Sequence, residues 1–186
     1  EVTPTIDKPV LSPTSTFAVP TDTDIPPTRL PPTVPTPTPL PVCERYNTVP
    51  LKLYFQFQEL DNFTTATRAG EDDAVRDGFQ FIRTEGRVFT EPLNETVPLK
   101  LYFNQAQNDN FTIATNIGEE QAIAAGYIFI RIEGYVFSEQ VSGTIPLKLY
   151  FDFNSIDNFS TATSAGEAQA RNAGYEYIRT EGYVCP

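Results

Sequence analysis

The amino-acid sequence predicts a mainly β domain with short helices: a pseudo-threefold, β-trefoil-like body of three 48-residue repeats behind an extended Pro/Thr-rich N-terminal tail. Three observations predict it. A phrase returns twice at constant spacing, the composition changes sharply near residue 42, and two cysteines bracket everything that follows.

The phrase is Val49-Pro50-Leu51-Lys52-Leu53-Tyr54-Phe55, which returns as Val97 to Phe103 and, with Ile145 for Val, as Ile145 to Phe151. Aligning positions 49 to 89 with their two copies leaves 20 of 41 positions identical in all three, too many for shared composition to explain. The repeats are 49–96, 97–144 and 145–186, inside a domain spanning 43–186.

Within a unit, Leu-Lys-Leu-Tyr-Phe alternates, which predicts a strand with Leu51, Leu53 and Phe55 toward a core and Lys52 and Tyr54 outward. Asp61-Asn62 predicts a turn, and Phe63-Thr64-Thr65 a second strand. A helix of about two turns is expected next. Ser164 with Glu167, and Asn116 with Glu119, have capping-box spacing, while Gly78, Gly126 and Gly174 supply the stop. The unit closes on an aromatic and β-branched run, Tyr175 to Val184, read as a strand pair or as one strand bent at its glycine. Each unit is thus β-β-short α-β. None can bury its apolar face alone, so the three are expected to share one core.

The tail, 1–42, holds twelve of the seventeen prolines and ten threonines. Residues 27–41 alternate Pro and Thr densely enough to enforce a polyproline II path, with Thr33, Thr36 and Thr38 as O-glycosylation candidates. Its apolar residues, among them Phe17 and Ile25, offer anchors for self-association into a polymer. A chain that begins at Glu1 and holds no methionine is expected to be a processed secretory product.

Cys43 and Cys185 suggest a disulfide between the ends of the repeat domain, since the repeat positions equivalent to Cys185 hold Phe89 and Phe137. Such a bridge implies an oxidising, extracellular compartment, with cell wall or matrix as candidate locations. A formal charge of −11 argues against nucleic acid, and no stretch is apolar enough to span a membrane. Four sequons, at Asn62, Asn94, Asn110 and Asn158, are N-glycosylation candidates, Asn94 being the one between repeats.

The order of motifs, Leu-Tyr-Phe, Asp-Asn-Phe-Thr-Thr, a Glu-led helix, Gly-Tyr and Glu-Gly-Tyr-Val-Phe, resembles the DUF5648 repeat family, found in secreted fungal and bacterial proteins, over residues 49–185. That resemblance implies a three-unit, lectin-like fold and a secreted or surface location. Family members read Asp-His-Phe-Tyr-Thr-Thr where this chain reads Asp61-Asn62-Phe63-Thr64-Thr65, so no role of that histidine carries over.

The chain has no histidine, which excludes Ser-His-Asp and Cys-His catalysis and the usual zinc sites. No EF-hand-like run supports calcium, so neither metal nor other cofactor is expected. A carboxylate-pair glycosidase would need two groups in distinct roles, whereas Glu85, Glu133 and Glu181 fill one position three times. Arg83, Arg131 and Arg179, two residues earlier, read either as partners in an ion pair or an inter-repeat hydrogen bond, or as polar floors of three sugar sites. Tyr54, Tyr102 and Tyr150 would be the stacking platforms. Asp61, Asp109 and Asp157 read as turn caps or as acceptors of sugar hydroxyls. The expectation is a non-enzymatic secreted glycoprotein, a structural subunit of an extracellular fibre assembling through its tail. The alternative is a carbohydrate-binding, lectin-like module on a glycosylated stalk.

Overall fold

A computed structural model describes residues 40–186, so the expectations for the tail, including Thr33, Thr36 and Thr38, lie outside the described residues. The described chain is mainly β, with nine strands in one antiparallel sheet and four short helices. No helix among the described residues is long and apolar enough to cross a membrane.

A lead-in turn, α1 (Val42–Arg45), is followed by three units of the same order. The first is β1 (Thr48–Gln56), β2 (Asp61–Thr65), α2 (Arg68–Arg76) and β3 (Gln80–Phe89). The second is β4 (Thr96–Asn104), β5 (Asp109–Ile113), α3 (Asn116–Ala124) and β6 (Ile128–Phe137). The third is β7 (Ile145–Asp152), β8 (Asp157–Thr161), α4 (Ser164–Asn172) and β9 (Glu176–Val184). The β-β-α-β unit is as the sequence predicts. The closing run is one strand, paired along the first strand of its own unit.

Several local expectations need correction. The turn of the first hairpin occupies residues 57–60, with Leu60 in the left-handed region at φ 59°, and Asp61 and Asn62 already belong to β2. Helix α4 is capped by Thr163 rather than Ser164, its hydroxyl accepting from the Gly166 amide. Thr115 takes the same place one residue before Asn116. Tyr54 does not face solvent. Both faces of β1 are covered, because Leu53 lies against the third unit while Tyr54 packs with Phe63 and Ala74 under its own helix. An alternating strand marks one face as polar only where nothing lies on it. Here the short helix lies on it.

The core is passed from unit to unit. Leu101 of the second unit packs among Tyr54, Phe63 and Ala74 of the first, and Leu149 of the third among Tyr102, Phe111 and Ala122 of the second. Leu53 of the first packs among Tyr150, Phe159 and Ala170 of the third. Each unit completes the core of the one before it, and the succession returns to its start.

At one end β3, β6 and β9 meet through Phe89 opposite Tyr135, Phe137 opposite Tyr183 and a bridge from Arg87 to Cys185. Phe89 and Phe137 stack edge to face at 5.4 Å, and Cys185 stands where the third unit would place a phenylalanine. Cys43 and Cys185 form the disulfide, with Cα atoms 5.6 Å apart, and Val42 fills the space beside them.

Candidate functional site

The glutamates repeated at 85, 133 and 181 owe their direction to a bulge. Leu51 pairs with Gly86 and Lys52 with Thr84, so Glu85 is an extra residue in the ladder; Glu133 and Glu181 occupy the same place. A bulge re-aims the side chain it frees, and here it drives the carboxylate into the neighbouring unit. Glu133 Oε2 accepts from the Thr65 hydroxyl at 2.7 Å, the Ala66 and Thr67 amides at 2.9 and 3.0 Å, and the Thr67 hydroxyl at 2.9 Å. Thr67 is the N-cap of α2. Glu181 holds Thr115 at the start of α3 in the same way, and Glu85 holds Thr163 at the start of α4. An anion at a helix N-terminus also complements the helix dipole.

Arg83, Arg131 and Arg179 bind these glutamates through Nε at 2.6, 2.7 and 2.5 Å. Their Nη1 atoms reach across to Gln169, Asp73 and Gln121 on the adjacent helix, each at 2.7 Å. The Arg–Glu pairs therefore join units, and the glutamates, at most 2% exposed, cannot meet a substrate.

Deeper in, β2, β5 and β8 contact one another and bring Asp61, Asp109 and Asp157 together. One carboxylate oxygen from each lies within 4.8 Å of the others. Their partners are neutral. Asn62 Nδ2 donates to Asp157 at 2.7 Å, Asn158 Nδ2 to Asp109 at 2.6 Å and Asn110 Nδ2 to Asp61 at 3.0 Å, while Tyr175 and Tyr127 donate to Asp157 and Asp109. Asp61 has no tyrosine, because Phe79 occupies that repeat position, and its Oδ1 is buried without a partner among the described residues. Burial, reinforced by the other two carboxylates, pushes Asp61 up to about 9; burial, with Asp157 beside it, pushes Asp109 up to about 8. Burial raises Asp157 as well. As buried strand residues the three aspartates neither cap a turn nor present themselves to a sugar.

Tyr54, Tyr102 and Tyr150 are at most 5% exposed, so none offers a ring face for stacking. Each hydroxyl meets a helix glutamate that also binds the strand lysine: Lys52 to Glu71 at 2.7 Å, Lys100 to Glu119 and Lys148 to Glu167 at 2.6 Å. These lysine–glutamate–tyrosine groups fasten each helix onto its strand. The invariant spacing of Lys and Glu, 19 residues in all three units, is the signal that could have disclosed them.

Three clefts lie between units. One, of about 320 Å³, is lined by Phe103, Asn108, Asn110, Asp61, Asp73 and Arg131. A second, of about 200 Å³, has Phe55, Leu60, Asn62 and Gln169; a third, of about 400 Å³, has Phe151, Phe153, Ile156, Asn158, Gln121 and Arg179. Each combines one phenylalanine of the repeated phrase, the asparagine at one repeat position, Asn110, Asn62 or Asn158, and the left-handed turn residue, Asn108, Leu60 or Ile156, at φ 51°, 59° and 59°. That conformation is strained for leucine and more so for β-branched isoleucine.

Of the sequons, Asn62 and Asn158 are buried and Asn110 is partly so, and the amide nitrogens a glycan would occupy are those that bind the aspartates. The fold thus removes Asn62, Asn110 and Asn158 as glycosylation sites. Asn94 is exposed between units.

The model of a family described as "Domain of unknown function (DUF5648)" matches residues 50–185. No curated protein and no solved structure matches the chain.

Proposed function

The chain belongs to the DUF5648 family, and on that premise we propose that it is a non-enzymatic extracellular glycan-binding module whose three inter-unit clefts take sugar residues. We read the body as a pseudo-threefold, trefoil-like closure of three equivalent units, each interface supplying one cleft. The observation that carries the proposal is the recurrence of the cleft itself, with an aromatic wall and planar amide or guanidinium groups each time. Flat apolar surface beside a few placed hydrogen-bonding groups suits a pyranose, which has an apolar face and a rim of hydroxyls. The contacts shift from the tyrosines to Phe153, Gln121 and Arg179 in the 400 Å³ cleft and to Phe103, Asn108 and Arg131 in the 320 Å³ one.

Two features support a binding rather than a catalytic role. The chain lacks histidine, and its recurring glutamates are consumed in holding helices. The disulfide supports an extracellular setting. Affinity electrophoresis through a panel of polysaccharides, together with a glycan array, tests the reading. Retention weakened by Phe153→Ala combined with Gln121→Ala is expected; retention on no glycan at all would sink it.

A second reading, a structural subunit of a fibre or matrix, has its own support. On β6 the residues Ile128, Phe129, Ile130 and Ile132 are 39–61% exposed, a row of apolar side chains that β3 and β9 interrupt with Gln80, Thr84, Glu176 and Thr180. A concentrated apolar row on a sheet suits a protein partner. Deleting residues 1–40 and imaging by electron microscopy separates a tail-driven polymer, lost on deletion, from one that persists without the tail.

A further inference from the structure

When ionised, the three buried aspartates would carry charge that no neighbouring cation among the described residues compensates, and without one burial keeps their protons on. Their partners are asparagine amides and tyrosine hydroxyls, and the buried arginines are committed to Glu85, Glu133 and Glu181. A charge taken out of water is normally paired or bound to a metal. We infer that Asp61, Asp109 and Asp157 form a binding site for one hard divalent cation of calcium's size, reached through the cleft that Asp61 lines.

Spacing supports the size. The three carboxylate oxygens all lie within 4.8 Å of one another, close enough to share one ion whose opposite oxygens stand about 4.6–5.2 Å apart, as calcium's do. The donors are all oxygen, which favours calcium or magnesium over softer metals. Magnesium retains several waters and demands a tight octahedron, whereas this site is walled by protein, each aspartate being at most 4% exposed.

Two further acceptors stand ready. Asn62 is 4% exposed and its carboxamide is held at the cluster by the bond from Nδ2 to Asp157, yet its Oδ1 has no donor among the described residues. Asp61 Oδ1 is likewise without one. Asp61 is the least supplied of the three: at Asp109 and Asp157 a tyrosine hydroxyl and an asparagine Nδ2 share Oδ2 while the Asn158 or Asn62 amide reaches Oδ1, whereas Asp61, among the described residues, accepts only from Asn110 Nδ2 at Oδ2, Phe79 bringing no hydroxyl there. The break falls on the aspartate that lines the 320 Å³ cleft, where Asp73 and Asp77 are paired with Arg76 and Arg131 and Glu59 stands outside those ion pairs.

The test uses the full chain stripped with EDTA and titrated with calcium chloride or magnesium chloride alone, followed by calorimetry, native mass spectrometry and thermal unfolding. One calcium per chain, a Tm that rises with calcium, and weaker binding of magnesium are expected. Asp61→Asn should weaken calcium binding at least about ten-fold. Phe79→Tyr, which deletes no ligand and offers Asp61 the hydroxyl that its two counterparts already accept, should weaken it by competing with the cation for that carboxylate. A wild-type chain that takes up no calcium and whose Tm ignores both EDTA and calcium would overturn the inference. So would a Phe79→Tyr chain that folds and binds calcium as tightly as wild type. Glycan retention is read separately, so failure of either proposal leaves the other standing.

Discussion

At the residue scale, the same side chain does different work according to whether the backbone places it in a ladder or in a bulge. Glu133 is freed by a bulge and accepts five hydrogen bonds, one from Arg131 and four from the start of α2. Replacing it with alanine strands two amides, two hydroxyls and a guanidinium in a buried interface. Glu133→Ala is therefore expected to cost about 3–5 kcal/mol, the penalty for removing one partner of a buried pair, measured by urea unfolding. Glu119 supplies a pH effect of opposite location. The Lys100 ammonium, then the Tyr102 hydroxyl, hold its carboxyl below the usual range. Its contribution is present above the unfolded value of about 4.3 and is lost as pH falls through the lower folded value. Glu119→Gln should flatten the decline of Tm with pH below that range, and an unchanged acid slope would refute the assignment.

At the element scale, the closing strands depend on glycines that admit a neighbour. A Cβ on Gly134 would stand 2.5 Å from Val88 Cγ2 and 3.0 Å from the Phe89 carbonyl, on a residue at φ 152°. Gly86 meets Val184 and Gly182 meets Val136 in the same way. Gly134→Ala should cost about 1–3 kcal/mol, the range for overpacking a closed interior, and a neutral effect in thermal unfolding would show that the first and second units do not press together as described. The helices illustrate how limited local pattern is. Their existence, length and glycine stops were legible from Gly78, Gly126 and Gly174, at φ 83°, 86° and 91°. Their starts were displaced by one residue, because Thr67, Thr115 and Thr163 cap only in company with a glutamate from another unit.

At the scale of the whole molecule, the disulfide joins residues 142 apart and lies where the third unit meets the first. Changing both Cys43 and Cys185 to serine should lower stability by up to about 5 kcal/mol in the chain-entropy model, with unfolding still a single transition, since each unit's core is completed by the next. Separate transitions for the three units would contradict that shared core. New termini opened at the exposed Asn94, with the ends near Cys43 and Cys185 joined by a short linker, should give a chain that still folds, because those cysteines lie 5.6 Å apart at Cα.

What the sequence determined by itself was the repeat, its β-β-α-β order and the cysteine pair, because periodicity, glycine placement and the replacement of phenylalanine by Cys185 are local or countable features. What only the tertiary structure decided was which repeated residues are available to a ligand. Tyr54 read as the outward side of its strand and Asp61 and Asn62 as a turn, yet all three are buried strand residues, since a unit's outer face becomes inner once a helix covers it and two further units close against it. The meeting of three aspartates was hidden for the same reason: residues 48 positions apart come within 4.8 Å only when the units converge. The phenylalanine at 79, where the other units have tyrosine, was visible in the alignment, but it acquired meaning only once Tyr127 and Tyr175 were seen to donate to the aspartates equivalent to Asp61.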